Sequence, residues 1–134
     1  MPLDALLLLG RVLIAALFLP AAYQTLSDVA GAAGYFDGLG LPYPAAAAWG
    51  VGLFELVGGA LVLVGWHTRA AALALAAFCV AAAIVGHHGQ GGDDPTLRFM
   101  HMQMFWKDIA IAGGLLALAA AEAGAWSVDG RRKR

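Results

Sequence analysis

Four apolar runs, each long enough to cross a lipid bilayer, constrain this chain more than any other feature of its sequence. The first, residues 5–23, is interrupted only by Arg11. At a rise of 1.5 Å per residue it reaches about 28 Å, close to the hydrocarbon thickness of a membrane. The second, residues 45–66, follows Pro42 and Pro44, whose fixed backbone angle suits a first helical turn, and carries Glu55 near its middle. The third, residues 70–86, holds no charge. The fourth, residues 105–125, has Lys107 and Asp108 in its first turn and Glu122 in its last. Only 13% of the 134 residues are charged against 61% apolar, too few polar groups to coat a soluble core, where about a quarter are charged. The expected fold is all-α and integral to the membrane. It is a bundle of four transmembrane helices forming one domain over residues 1–134, with the bilayer as its first partner.

Charge placement sets the expected orientation. The loop over residues 24–44 has no basic residue and that over residues 87–103 has only Arg98, whereas the opposite side holds Arg69 and the tail Arg131, Arg132, Lys133, Arg134. Basic residues stay on the cytoplasmic side, so both termini are expected there. The tail lacks aromatic interleaving and a wider basic face, which argues against a nucleic-acid partner. The start, Met-Pro-Leu-Asp, lacks the positive region of a signal peptide, so the first run is read as a retained span. Cys79 is the sole cysteine, which excludes an internal disulfide, a CxxC couple and cysteine-based metal clusters. It reads as a small packing residue.

In the first outer loop Ser27 is positioned to cap a short helix with Val29, Ala32, Ala33 and Phe36 on one face, expected to lie in the membrane interface. Helix contacts within lipid depend on small residues that let backbones approach. Gly52 and Gly59 flank Glu55 at such spacing on the second span, and Gly113 with Gly114 offers a similar face on the fourth. Pro20 is expected to kink the first span.

Charges inside a bilayer cost several kcal/mol by most estimates unless paired or hydrated. Arg11 and Glu55 are therefore expected to form an ion pair between the first two spans, either fixing helix register or leaving Glu55 as a proton-handling or substrate-binding group. A second polar cluster gathers at the outer end: Tyr23, Gln24, His87, His88, His101, Gln103, Lys107 and Asp108. Imidazoles beside a lysine and a carboxylate suit exchange of protons with a quinol, whose two protons leave as its two electrons do; a solvated polar rim is the competing reading. Met100, His101 and Met104 carry soft ligands that would suit copper(I). On a helix, however, only Met100 and Met104 share a face, so no metal site is assigned.

These features in order resemble the DoxX family of small four-helix membrane proteins. The resemblance is carried by Arg11, by residues 23–28 followed by Leu39-Gly40-Leu41-Pro42, by Phe54-Glu55-Leu56-Val57-Gly58-Gly59, by Thr68-Arg69, by His87, and by Phe105-Trp106-Lys107-Asp108 ahead of Gly113-Gly114. It implies a bacterial or archaeal cytoplasmic-membrane protein, in a family whose better-known members are associated with quinone-linked sulfur oxidation or with a membrane complex handling oxidative stress. Arg11, Glu55, Arg69, His87 and Lys107 match family positions. The family often has a lysine where this chain has Thr25, so any role of that lysine does not carry over.

The leading expectation is a membrane subunit supporting quinone-linked electron transfer. Glu55, His87 and Lys107 would handle protons, and Tyr23, His87, His88 and Lys107 would surround a quinone. The chain has no cofactor motif of its own, so a partner subunit would supply the redox centre, or the quinone itself would be the only redox species. Two other classes stay open: an anchoring or assembly module for a partner protein, and a small proton-coupled transporter, which would act as a homo-oligomer.

Overall fold

Buried positions on the first helix fall at Arg11, Ala15, Phe18 and Ala22, a spacing of three and four residues that puts them on one face. In the computed structural model, which describes residues 2–132, that helix is α1 (Leu3–Ser27) and it packs against α3 (Pro44–Val64). The short α2 (Val29–Gly38) lies between them in sequence and rests mainly on α3. The third long helix begins as α4 (Thr68–Ala82) and ends in a single π-turn over Ala83–His87. It packs on α5 (Pro95–Ala121), and a last short helix, α6 (Val128–Arg132), closes the described chain. Among the described residues four helices are thus long and apolar enough to cross a membrane. Lys133 and Arg134 of the basic tail lie outside the described residues.

Close packing explains the glycines of α3. A Cβ on Gly52 would meet Leu26 of α1 at 2.7 Å, and one on Gly59 would meet Phe18 at 3.1 Å, so the glycine face that carries Glu55 is the α1 contact. Gly58 turns the other way, with Leu75 of α4 2.8 Å from where a Cβ would sit. The expectation for Gly113 and Gly114 fails: both are exposed with nothing near an added Cβ, and α5 packs instead through Ala112, Leu115, Leu118 and Ala119.

Local capping moved two boundaries. Asp28, not Ser27, starts α2, its carboxylate accepting from the Gly31 amide at 2.9 Å while the Ser27 hydroxyl turns back to the Gln24 carbonyl. The fourth span was expected to begin at residue 105, where the apolar run starts. The helix begins at Pro95 because Asp94 caps it, accepting from Thr96 at 2.8 Å and Leu97 at 3.3 Å. Capping extends a helix where hydropathy gives no signal, so α5 projects beyond the bundle.

The end that holds both termini, here the tail end, is closed by polar contacts. Arg11 is 1% exposed, yet it forms no ion pair with Glu55 among the described residues. Its guanidinium donates to the Leu63 carbonyl at 3.2 Å and the Trp126 carbonyl at 2.5 Å. Leu63 lies eight residues beyond Glu55, about 12 Å along the helix, so the expected pair fails on depth: Arg11 instead meets the carbonyl end of α3, where the helix dipole favours a cation. Gly65 ends that helix at φ +70°, and an added Cβ there would collide with the Arg11 guanidinium and with Ser127. Asp129 caps α4 from a distance, accepting from the amides of His67 (3.0 Å) and Thr68 (2.9 Å) and from the Thr68 hydroxyl (2.9 Å). Asp4 accepts from Ala125 at 2.7 Å and fixes the tail to the start of α1.

Candidate functional site

The opposite end, the loop end, is built around a cavity of about 620 Å³. Leu17 and Phe18 of α1, Phe36 of α2 and Leu39 just after it, Val51 of α3, and Phe78 and Val85 of the third long helix make it largely apolar. A few polar groups converge on it: Gln24 and Thr25 from α1, Asp28 at the start of α2, Tyr35 from α2, Glu55 from α3, His87, and Asp108 from α5. Apolar walls with a small number of placed polar groups are the usual make-up of a small-molecule site.

Each polar group has a local reason for its position. Glu55 lies on the buried glycine face of α3 and is 9% exposed. His87 is delivered by the π-turn, in which the His88 amide bonds the Ala83 carbonyl five residues back at 3.0 Å. Such wide turns recur at functional sites because they re-aim side chains at the end of a helix. Here His87 is turned inward. Its Nε2 stands 3.6 Å from Asp108 Oδ2, and its Nδ1 stands 3.0 Å from Nδ1 of His101. Gly86 leaves room beside this turn for the Tyr35 hydroxyl, 3.6 Å from where its Cβ would be. Tyr35 and Phe36 place α2 across the cavity as a cover.

The structure therefore brings together Glu55 and His87, but not the rest of the expected set. Tyr23 is 73% exposed and points away from the cavity that its neighbour Gln24 lines. His88 is exposed, its ring 5.8 Å from that of Phe105. Lys107 is exposed and lines a separate shallow groove of about 460 Å³ with Phe99, Met100, Gln103, Met104 and Trp106. The soft ligands are divided in the same way: Met100 and Met104 face that groove while His101 turns to His87. Among the described residues no group of three or more His, Cys, Asp or Glu side chains is arranged to hold a metal ion.

Sequence reasoning placed Asp108 and Gln24 in the outer cluster without selecting them, and it did not point to Tyr35 or Cys79, all four of which line the cavity. The signal for Asp108 was available in the register of α5, since His101 and Asp108 are two helical turns apart on one face. No sequence pattern indicates Tyr35, because its place depends on how α2 folds over α3.

Comparison with known proteins agrees with this architecture. The DoxX family matches residues 6–88, which include most of α1, all of α2–α4, and His87. The inner membrane protein YphA of Escherichia coli (strain K12) is 30% identical over 128 residues, covering 94% of this chain and 89% of that protein. The inner membrane protein YqjF of the same organism is 33% identical over 129 residues, covering 94% and 91% respectively. No solved structure matches the chain. With most of its length matched both to the family and to two full-length membrane relatives, the chain belongs to the DoxX family.

Proposed function

We propose that this protein is a multi-pass subunit of the cytoplasmic membrane that binds a quinone in the loop-end cavity and supports quinone-linked electron transfer. Two relatives bear the name of inner membrane proteins, which supports that location. The basic tail supports an orientation with both termini in the cytoplasm and the cavity toward the outer face.

The observation that carries this reading is a largely apolar cavity between membrane-spanning helices with His87 and Asp108 at one wall and Glu55 at another. A quinone head group offers two acceptor oxygens on an apolar ring, and the residues present fit it. His87, Gln24 and the Tyr35 hydroxyl supply donors, and Phe18, Phe36 and Phe78 supply apolar ring contacts. When bound, the quinone supplies the redox chemistry, two electrons and two protons per cycle. The chain's residues orient the head group, exclude bulk water with α2, and hold protons at His87, Asp108 and Glu55. A partner protein supplies the redox centre that exchanges the electrons.

Purification in mild detergent followed by lipid extraction and quinone analysis tests this directly. Wild type is expected to retain quinone in stoichiometric amount. Folded His87→Ala and Glu55→Gln variants are expected to lose it. A wild-type protein empty of quinone, with the variants indistinguishable from it, would sink the proposal and favour an anchoring role.

A further inference from the structure

α5 carries His101 and Asp108 on one face, about 10 Å apart along its axis. His87 lies between them, with one ring nitrogen 3.0 Å from His101 and the other 3.6 Å from the Asp108 carboxylate. From Pro95 to Met104 every side chain is exposed except that of His101, which is half-buried against His87. Two Nδ1 atoms at this distance share one hydrogen, one donating and the other accepting. A neutral His87 that directs Nε2–H at the carboxylate keeps its lone pair on Nδ1, so the hydrogen comes from His101 Nδ1; this tautomer follows from the contacts.

We propose that Asp108, His87 and His101 form a proton relay between the cavity and the water at the loop end, with His101 as its outermost group. Its chemistry rests on the quinone reading above. In the inward direction His101 takes a proton from water at Nε2 and passes its Nδ1 proton to Nδ1 of His87. His87 then releases its Nε2 proton toward Asp108 and the cavity. One proton enters as one leaves, and the reset does not retrace that path: each ring turns to the water at the loop end, loses a hydrogen there from the nitrogen that now carries it and gains one on the other, so both recover their first tautomers without drawing a proton back from the cavity. Neither imidazole changes oxidation state. The two electrons that accompany two such protons in reducing a quinone come from the partner's redox centre. The other titratable groups around this path are Lys107 beside Asp108 on α5, Glu55 on α3, Asp28 at the start of α2, Tyr35 on α2 and Cys79 on α4.

The experiment uses the full chain in lipid nanodiscs and has two readouts. In the first, without quinone, nitrogen NMR of labelled histidines over a pH series is expected to show His87 and His101 titrating as a coupled pair. In the second, decylubiquinone is bound and an electrode takes the place of the partner. His101→Ala is expected to bind decylubiquinone as wild type does but to reduce it about a hundredfold more slowly at neutral pH. Imidazole in the buffer is expected to restore the rate, which a merely positional role would not allow. His101→Gln, which can keep a hydrogen bond to His87 but cannot shuttle a proton, is expected to be as slow as His101→Ala. An unchanged rate in both variants, or a slow rate that imidazole does not restore, would overturn the relay while leaving quinone binding intact. If wild type binds no quinone the functional reading fails first, and independent titration of the two histidines then overturns the relay as well.

Discussion

The two ends of this bundle use polar residues in opposite ways. At the tail end the polar side chains are spent on the fold: Arg11 meets two carbonyls, Asp129 accepts three hydrogen bonds and Asp4 accepts one. At the loop end the polar side chains face a cavity, and the two side chains closest to the His87 ring nitrogens, His101 and Asp108, are themselves titratable. A membrane interior penalises both arrangements, so each must return something. The first returns a fixed junction between α1, α3, α4 and the tail. The second leaves groups whose protonation can change without unfolding the bundle.

This contrast is most exposed to failure at Arg11. Arg11→Met keeps much of the apolar bulk but strands the Leu63 and Trp126 carbonyls in a buried site. At about 1–2 kcal/mol for each orphaned acceptor, stability should fall by about 3 kcal/mol. Unfolding in detergent by denaturant measures this. Equal losses in Arg11→Met and Glu55→Gln would erase the distinction between the two ends.

Gly65→Ala is the next largest. The left-handed backbone costs a residue with a side chain about 1–2 kcal/mol, and the new Cβ also presses on Arg11 and Ser127. The variant should lose about 2 kcal/mol and loosen the tail, seen as faster hydrogen exchange at Trp126 and Asp129.

Asp129 sharpens the comparison through pH. Partial burial raises its carboxyl, but the hydrogen bonds from Thr68 and His67 outweigh that and hold it below the ordinary value of 3.8. A group depressed in the folded state contributes stability that is present above its unfolded value and lost as pH falls through the folded one. Wild type should therefore lose part of its stability below about pH 4, and Asp129→Asn should lack that part of the pH dependence. As the remote cap of α4, the carboxylate should contribute about 1 kcal/mol at neutral pH. Curves for the two proteins that stay parallel into acid would remove Asp129 from the clamp.

His87→Ala should be smaller still in stability, below about 1 kcal/mol, because the close contacts of its ring, with His101 and Asp108, are to side chains that are themselves partly exposed. Its expected effect is on quinone retention. A large stability loss there would make the loop end structural like the tail end.

How far the sequence could foretell this arrangement differs between the two ends for physical reasons. Hydropathy located all four spans, because length and apolar content are what lipid selects. It missed the first ten residues of α5, where an Asp94 cap and not burial starts the helix. Arg11 and Glu55 were recognisable as costly, but which partner each takes depends on depth, and only the fold sets depth. Glu55 and His87, which the fold brings to one cavity, were both legible as candidates. Lys107, Tyr23 and His88 were not separable from them, because one residue of offset on a helix turns a side chain by about 100° from a cavity to lipid or water.

Gly113 and Gly114 give the smallest expected effect and a test of that last point. By spacing they look like the packing glycines of α3, yet neither has an atom within 4 Å of an added Cβ. Gly113→Ala and Gly114→Ala should each leave the unfolding free energy within about 0.5 kcal/mol of wild type, or raise it slightly through better helix propensity. Gly52→Ala, by contrast, must displace Leu26 from 2.7 Å and should destabilise by about 1 kcal/mol or more. A loss at Gly113 or Gly114 as large as that at Gly52 would mean that this face of α5 is covered in the membrane by another helix, which would have to come from a partner or a second copy of the chain.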